Sequence, residues 1–134
     1  YNRVSRYGQS DIARIMGTPG MIRSPRKIQA VIHNARRFQA VRDEFGSFSS
    51  YIWSFTGGKT YIYPHHQNGN IPPKNNLSDA VSADLKKRGF KYLGSVTVYS
   101  HLQASGIIND HREGCFRYRE LISAAENEIQ FCYD

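Results

Sequence analysis

One long apolar stripe with marked ends constrains this chain more than any other feature. Ser24 followed by Pro25 has the form of a helix N-cap and first helical residue, where the missing proline N–H costs nothing. Ile28, Val31, Ile32, Ala35 and Phe38 then recur at helical spacing, which predicts a helix that ends near Phe45, before Gly46. Its other face carries Lys27, His33, Asn34, Arg36 and Arg37, a run that reads as a solvated charged surface.

The remaining segments also read as helices, giving an all-α chain. Residues 10–16 form a short capped helix that buries Ile12, Ile15 and Met16 and stops at Gly17-Thr18-Pro19-Gly20. Residues 47–55 form an aromatic helix closed by Gly57-Gly58, with Phe48, Ile52, Trp53 and Phe55 in the core. Residues 59–77, which hold Tyr61, Ile62, Tyr63, the pair His65-His66 and Pro72-Pro73, read as a long surface loop. A helix over residues 78–88 follows, with Asp79 and Asp84 early and cations in its last turn before Gly89. Residues 96–104 read as helix despite Val96-Thr97-Val98, and residues 118–133 as a last amphipathic helix through Leu121, Ile122, Ala125, Ile129 and Cys132.

Two helices joined by residues 89–94 have the form of a helix-hairpin-helix: apolar residues pin the turn, and glycines let backbone approach a ligand. The second helix offers free N–H groups to an anion, for which a DNA phosphate is the natural choice. Lys86, Lys87, Arg88, Gly89, Lys91, Gly94 and Ser95 make up this candidate DNA-binding set, with the cations supplying a salt-sensitive, sequence-independent attraction. Asp43, Glu44, Asp79 and Asp84 read as solvated helix charges, and no nucleophilic triad, phosphate loop or paired carboxylate motif is legible, so no catalytic residue is assigned.

Charge points the same way. Lys and Arg number 18 against 11 Asp and Glu, a net charge of +7, which favours an anionic partner without choosing between nucleic acid and an acidic membrane surface. No apolar run is long enough to span a membrane, and the 134 residues suit one domain. Cys115 and Cys132 read as thiols of a reducing compartment, hence a cytoplasmic location. His111 and Cys115 make an H-x-x-x-C pair, but a closed zinc site needs four donors, and spacing alone leaves this pair either incidental or half of such a site.

Several blocks resemble bacterial DNA-3-methyladenine glycosylase I: residues 20–23, 26–30, 34–36 and 53–55, then an unbroken and specific series from Leu85 to Cys115. The resemblance covers residues 3–115. It implies a helix-hairpin-helix DNA glycosylase fold that excises 3-methyladenine from alkylated double-stranded DNA. In that chemistry the base is flipped out and its positive charge already makes it a good leaving group. The same resemblance makes His111 and Cys115 two of the four ligands of a structural zinc. It also implies that the chain starts inside the family's sequence, without the segment that supplies the other two ligands and most of the base pocket. Asp110 is expected to be structural or DNA-proximal rather than catalytic. Apolar surface left by the missing part could drive a homodimer. The rival expectations are a non-catalytic helix-hairpin-helix DNA-binding module and a basic helical domain with no DNA role.

Overall fold

The computed structural model of the protein describes residues 1–123 and 128–133. Helices dominate it: α1 (Gln9–Gly17), α2 (Pro25–Phe45), α3 (Phe48–Ser54), α4 (Asn76–Lys87), α5 (Ser95–Ala104) and α6 (Phe116–Ser123), with two short 3-10 turns at Val4–Arg6 and Pro64–Asn68. Two three-residue strands, β1 (Thr60–Ile62) and β2 (Ile129–Phe131), complete the described elements. The all-α class expected from the sequence therefore holds. None of the described helices is long and apolar enough to cross a membrane.

The chain divides into two compact units, Tyr1–Tyr51 with Ala83–Leu93, and Ile52–Ser82 with Gly94–Asp134. In the first, α2 begins where the sequence says: the Ser24 side chain accepts from the Lys27 N–H, Pro25 opens the helix and Gly46 ends it at φ 78°. Ile28, Ala30, Ile32, Ala35 and Val41 are buried. Val31, expected in the stripe, is 59% exposed, because the buried face is centred on residues 28, 32 and 35 and Ala30 takes the flank. In α1, Ile12, Ile15 and Met16 are only half-buried, and the helix starts one residue earlier than read, at Gln9 with Gly8 as its N-cap. An aromatic cluster runs from Tyr1 to Phe38, Phe48 and Tyr51, with Phe45 against Tyr51 and Phe90 against Phe48. Tyr51, not singled out from the sequence, is its most buried member at 1% exposure.

The second unit corrects two expectations. Residues 59–77 are not simply a surface loop: β1 lies within them, and Ile62, Tyr63 and His66 are buried. The tail is not one helix either. After α6 the chain forms β2, which pairs in parallel with β1, Thr60 opposite Ile129 and Ile62 opposite Phe131. Ala125 lies outside the described residues. On its other edge β1 bonds the segment after α5, where the Tyr61 N–H donates to the Ile107 carbonyl and the Asn109 N–H to the Tyr61 carbonyl. Strand formation wins because β-branched and aromatic residues at 60–62 find backbone partners on both sides, which no local pattern reveals. Val81, Val98, Tyr99, Leu102, Ile107 and Ile108 supply the buried apolar side chains here.

Candidate nucleic-acid interface

The α4 terminus and the turn after it are built by local rules. Asn75 and Ser78 start the helix reciprocally: the Ser78 N–H donates to Asn75 Oδ1 and the Asn75 N–H to Ser78 Oγ, each at 2.9 Å. At the other end Gly89, at φ 89°, closes a Schellman motif in which the Gly89 N–H donates to the Lys86 carbonyl and the Phe90 N–H to the Leu85 carbonyl. A side chain at Gly89 would be strained by that φ and would come within 3.3 Å of Arg37 Cδ. The expected Gly89 stop is thus enforced twice.

Two α2 side chains then fasten the turn. His33 Nε2 lies 2.8 Å from the Gly89 carbonyl oxygen, the distance of a hydrogen bond from its N–H. Asn34 grips Lys91 by both backbone groups, its amide donating to the Lys91 carbonyl and its oxygen accepting from the Lys91 N–H, both at 2.8 Å. The sequence reading set His33 and Asn34 on a solvated face. They are half-buried clamps, and a cue existed in retrospect: asparagine inside a helix gives up local backbone bonds and so tends to have a partner.

The cations separate into two kinds. Lys86, Lys87 and Lys91 are exposed. Arg88, grouped with them from the sequence, spends its guanidinium internally, donating to Asp84 Oδ2 and to Glu44 Oε2 at 2.6 Å each, and stacking over the rings of Phe45 and Tyr51 at 4.9 and 5.1 Å. Asp84 also accepts from the Tyr51 hydroxyl at 2.7 Å, so Asp84 and Glu44 are not merely solvated charges. Burial would raise the Asp84 carboxyl, but hydrogen bonds from Arg88 and Tyr51 outweigh it and hold the group below its ordinary value. Burial, then the bond to Asp84, pushes the Tyr51 phenol up.

Gly94 N-caps α5 with an extended backbone, φ −147°, and open space where a side chain would begin. The fold itself does not demand glycine there. The Ser95 hydroxyl lies 2.6 Å from that of Ser78, so what Ser95 can offer an anion is its backbone N–H at the helix start.

Beyond α5, Asp110 is buried and both of its oxygens are engaged. His66 Nδ1 stands 2.7 Å from Oδ1, while the Tyr99 hydroxyl and the Gln103 amide donate to Oδ2 at 2.5 and 2.9 Å. Tyr63 stacks on the His66 ring. Burial and the bond to Asp110 push the Tyr99 phenol up. Asp110 thus braces the fold, the first of the two roles expected of it, and His66, which looked unrelated in sequence, is one of its partners. His111 follows on the surface, its Nδ1 3.8 Å from Cys115 Sγ. Two donors of a tetrahedral zinc stand about 3.6 Å apart at ordinary bond lengths, so the pair fits one edge of such a site. No cluster of three or more metal-capable acids, histidines or cysteines occurs among the described residues. Neither Cys115 nor Cys132 is in a disulfide among the described residues.

A methyladenine glycosylase family profile matches residues 1–118. The chain belongs to that family. It is 37% identical over 116 residues to DNA-3-methyladenine glycosylase 1 of Escherichia coli (strain K12), which covers 87% of this chain and 62% of that protein. A crystal structure of 3-methyladenine DNA glycosylase I aligns with a TM-score of 0.76 at 40% identity, covering 86% of this chain and 63% of the other. The Staphylococcus aureus 3-methyladenine DNA glycosylase I, solved to define its recognition of 3-methyladenine, aligns with a TM-score of 0.76 at 32% identity, covering 86% and 61%. The chain spans about three-fifths of the length of these relatives.

Proposed function

We propose that this chain holds the sugar–phosphate backbone of duplex DNA for an enzyme that hydrolyses the N-glycosidic bond of 3-methyladenine. The observation that carries the reading is the fastened turn. His33 and Asn34 fix the backbone of Gly89 and Lys91, and Lys86, Lys87 and Lys91 stay exposed around it. Gly94 adds support, since a glycine that the fold does not require suits the close approach of a ligand to the start of α5. The three lysines would neutralise phosphates, the backbone N–H groups of α5 would bond phosphate oxygens, and neither reads sequence. An N3-alkylated adenine leaves as a neutral base, so the work left to the protein is to hold the flipped nucleotide where water can attack its sugar.

His111 and Cys115 would hold a structural zinc as two of its four ligands, the other two coming from outside the described residues; bound zinc would staple the chain and take no part in the hydrolysis. Metal analysis checks this: weak binding is expected for the 134-residue chain, falling further when His111 or Cys115 is replaced by alanine.

The test of the main reading is release of 3-methyladenine from methylated duplex DNA, run beside duplex binding at several salt concentrations. If each of the three lysines neutralises one phosphate, log affinity falls against log salt with a slope of about −3. Tight, salt-dependent binding with no base released would instead favour the non-catalytic binding module. Binding indifferent to salt would remove DNA from the account.

A further inference from the structure

Tyr92 is the one non-glycine residue at positive φ, at 56°, among the described residues. Seven glycines take the other positive-φ positions, so wherever else the chain needs this conformation it uses the residue that adopts it freely. At position 92 it carries one of the bulkier side chains in a region where Cβ crowds the neighbouring carbonyl. Such a cost is normally offset by burial or a bond. Neither offsets it here: the Tyr92 side chain is 64% exposed and makes no hydrogen bond, ring stack or cation–π contact with the described residues.

The conformation is also held rather than loose. Lys91, directly before Tyr92, has both backbone groups bonded to Asn34, and the Gly89 carbonyl is fixed by His33. A strained residue whose backbone is fastened from a neighbouring helix, and whose ring is sent into solvent, marks a position kept for something outside the chain. The surroundings define its chemistry. Lys91 is adjacent and Lys86 and Lys87 stand in the preceding helical turn, so a partner arriving here is anionic. A phenol suits a sugar–phosphate chain, its ring packing on deoxyribose and its hydroxyl donating to a phosphate oxygen.

We infer that Tyr92 is a contact residue for the duplex DNA backbone, and that Asn34 is the positioning residue that presents it. This rests on the DNA-holding role proposed above. No base is read by this contact, so its contribution is the same for every sequence.

Duplex affinity and thermal stability of the 134-residue chain test the inference through three substitutions. Tyr92→Gly removes both the ring and the strain. The expected result is a melting temperature equal to or above the parent's, with duplex affinity lowered roughly tenfold on any sequence. Tyr92→Phe keeps the ring and loses the hydroxyl, and should fall between the two. Asn34→Ala should weaken binding by a clearly larger factor in the parent than in the Tyr92→Gly chain, where only its hold on Lys91 is left to lose; equal factors in both chains would overturn the positioning role of Asn34. Lys91→Glu separates the two proposals. Weaker binding by Lys91→Glu together with unchanged binding by Tyr92→Gly overturns the role of Tyr92 alone; no duplex binding by the parent overturns both. A lower melting temperature for Tyr92→Gly would mean that the ring serves the fold, and a loss confined to single-stranded DNA would mean base stacking; either outcome overturns the inference.

Discussion

The clamped turn at residues 89–92 and the brace around Asp110 use similar polar groups in opposite ways. At the turn, His33 and Asn34 spend their hydrogen bonds on backbone, and the side chains of Lys91 and Tyr92 are left facing water. Around Asp110, side chains bond side chains: His66, Tyr99 and Gln103 all converge on one carboxylate, and little of it faces outward. The difference tells which polar residues to associate with function. A bond that fixes a main chain while freeing its side chain prepares a surface, whereas a closed side-chain network prepares an interior.

The contrast can be broken most forcefully at the brace. Asp110→Ala leaves His66 and Tyr99 buried without their acceptor and should cost about 3–5 kcal/mol of stability, read by denaturant unfolding. Asp110→Asn keeps shape and some bonding and should cost less. Were Asp110→Ala as stable as the parent, the network would be decoration, and its residues would return to the list of functional candidates. At the turn the effects should fall on binding instead. Lys91→Glu is expected to lower duplex affinity by about tenfold at low salt, to flatten the salt slope by about one, and to leave the melting temperature near the parent's. Unchanged affinity at low salt would take the turn out of the interface.

Smaller effects should come from pH. The Asp84 carboxyl lies below its ordinary 3.8 in the folded chain, so its ionised form favours folding; that contribution is whole above about pH 4 and disappears as the pH falls through the lowered folded value. Melts near pH 3 and pH 7 should therefore differ less for Asp84→Asn than for the parent. Tyr51 and Tyr99 carry the opposite sign. Their phenols lie above the ordinary 10.0, so the neutral forms favour folding, and the contribution is whole below about pH 10 and lost as the pH rises beyond it. Tyr99→Phe should remove part of that alkaline loss.

What the sequence disclosed followed how local each cause is. Ser24, Pro25 and Gly46 act within a few residues, and α2 begins and ends where they indicate. The helix read over residues 96–104 is there as α5, opened by Gly94 at its N-cap, although Val96-Thr97-Val98 could have suited a strand. His66 could not be recognised as a partner of Asp110, because 44 residues separate them and neither sits in a spaced motif. Arg88 looked like one of four equal cations; only the return of Glu44 from α2 and Tyr51 from α3 distinguishes it. The tail was misread because Ile129 and Cys132 satisfy a helical spacing as well as a strand does, and the deciding partner lies at residues 60–62. In the site, glycines and lysines announced themselves by type, while the clamp of His33 and Asn34 needed the fold.

The pairing of β1 with β2 carries a consequence for assembly order and for solubility. Thr60 meets Ile129 from 69 positions away in the chain, and parallel pairing over such a separation closes a large loop before any contact rewards it. The β1–Ile107 side spans a shorter loop and can form first, which makes β2 the late arrival. Until it docks, one edge of β1 carries open backbone donors and acceptors beside the apolar Ile62, a template for another chain. Refolding at high concentration is thus the condition under which this short strand guards the protein against self-association.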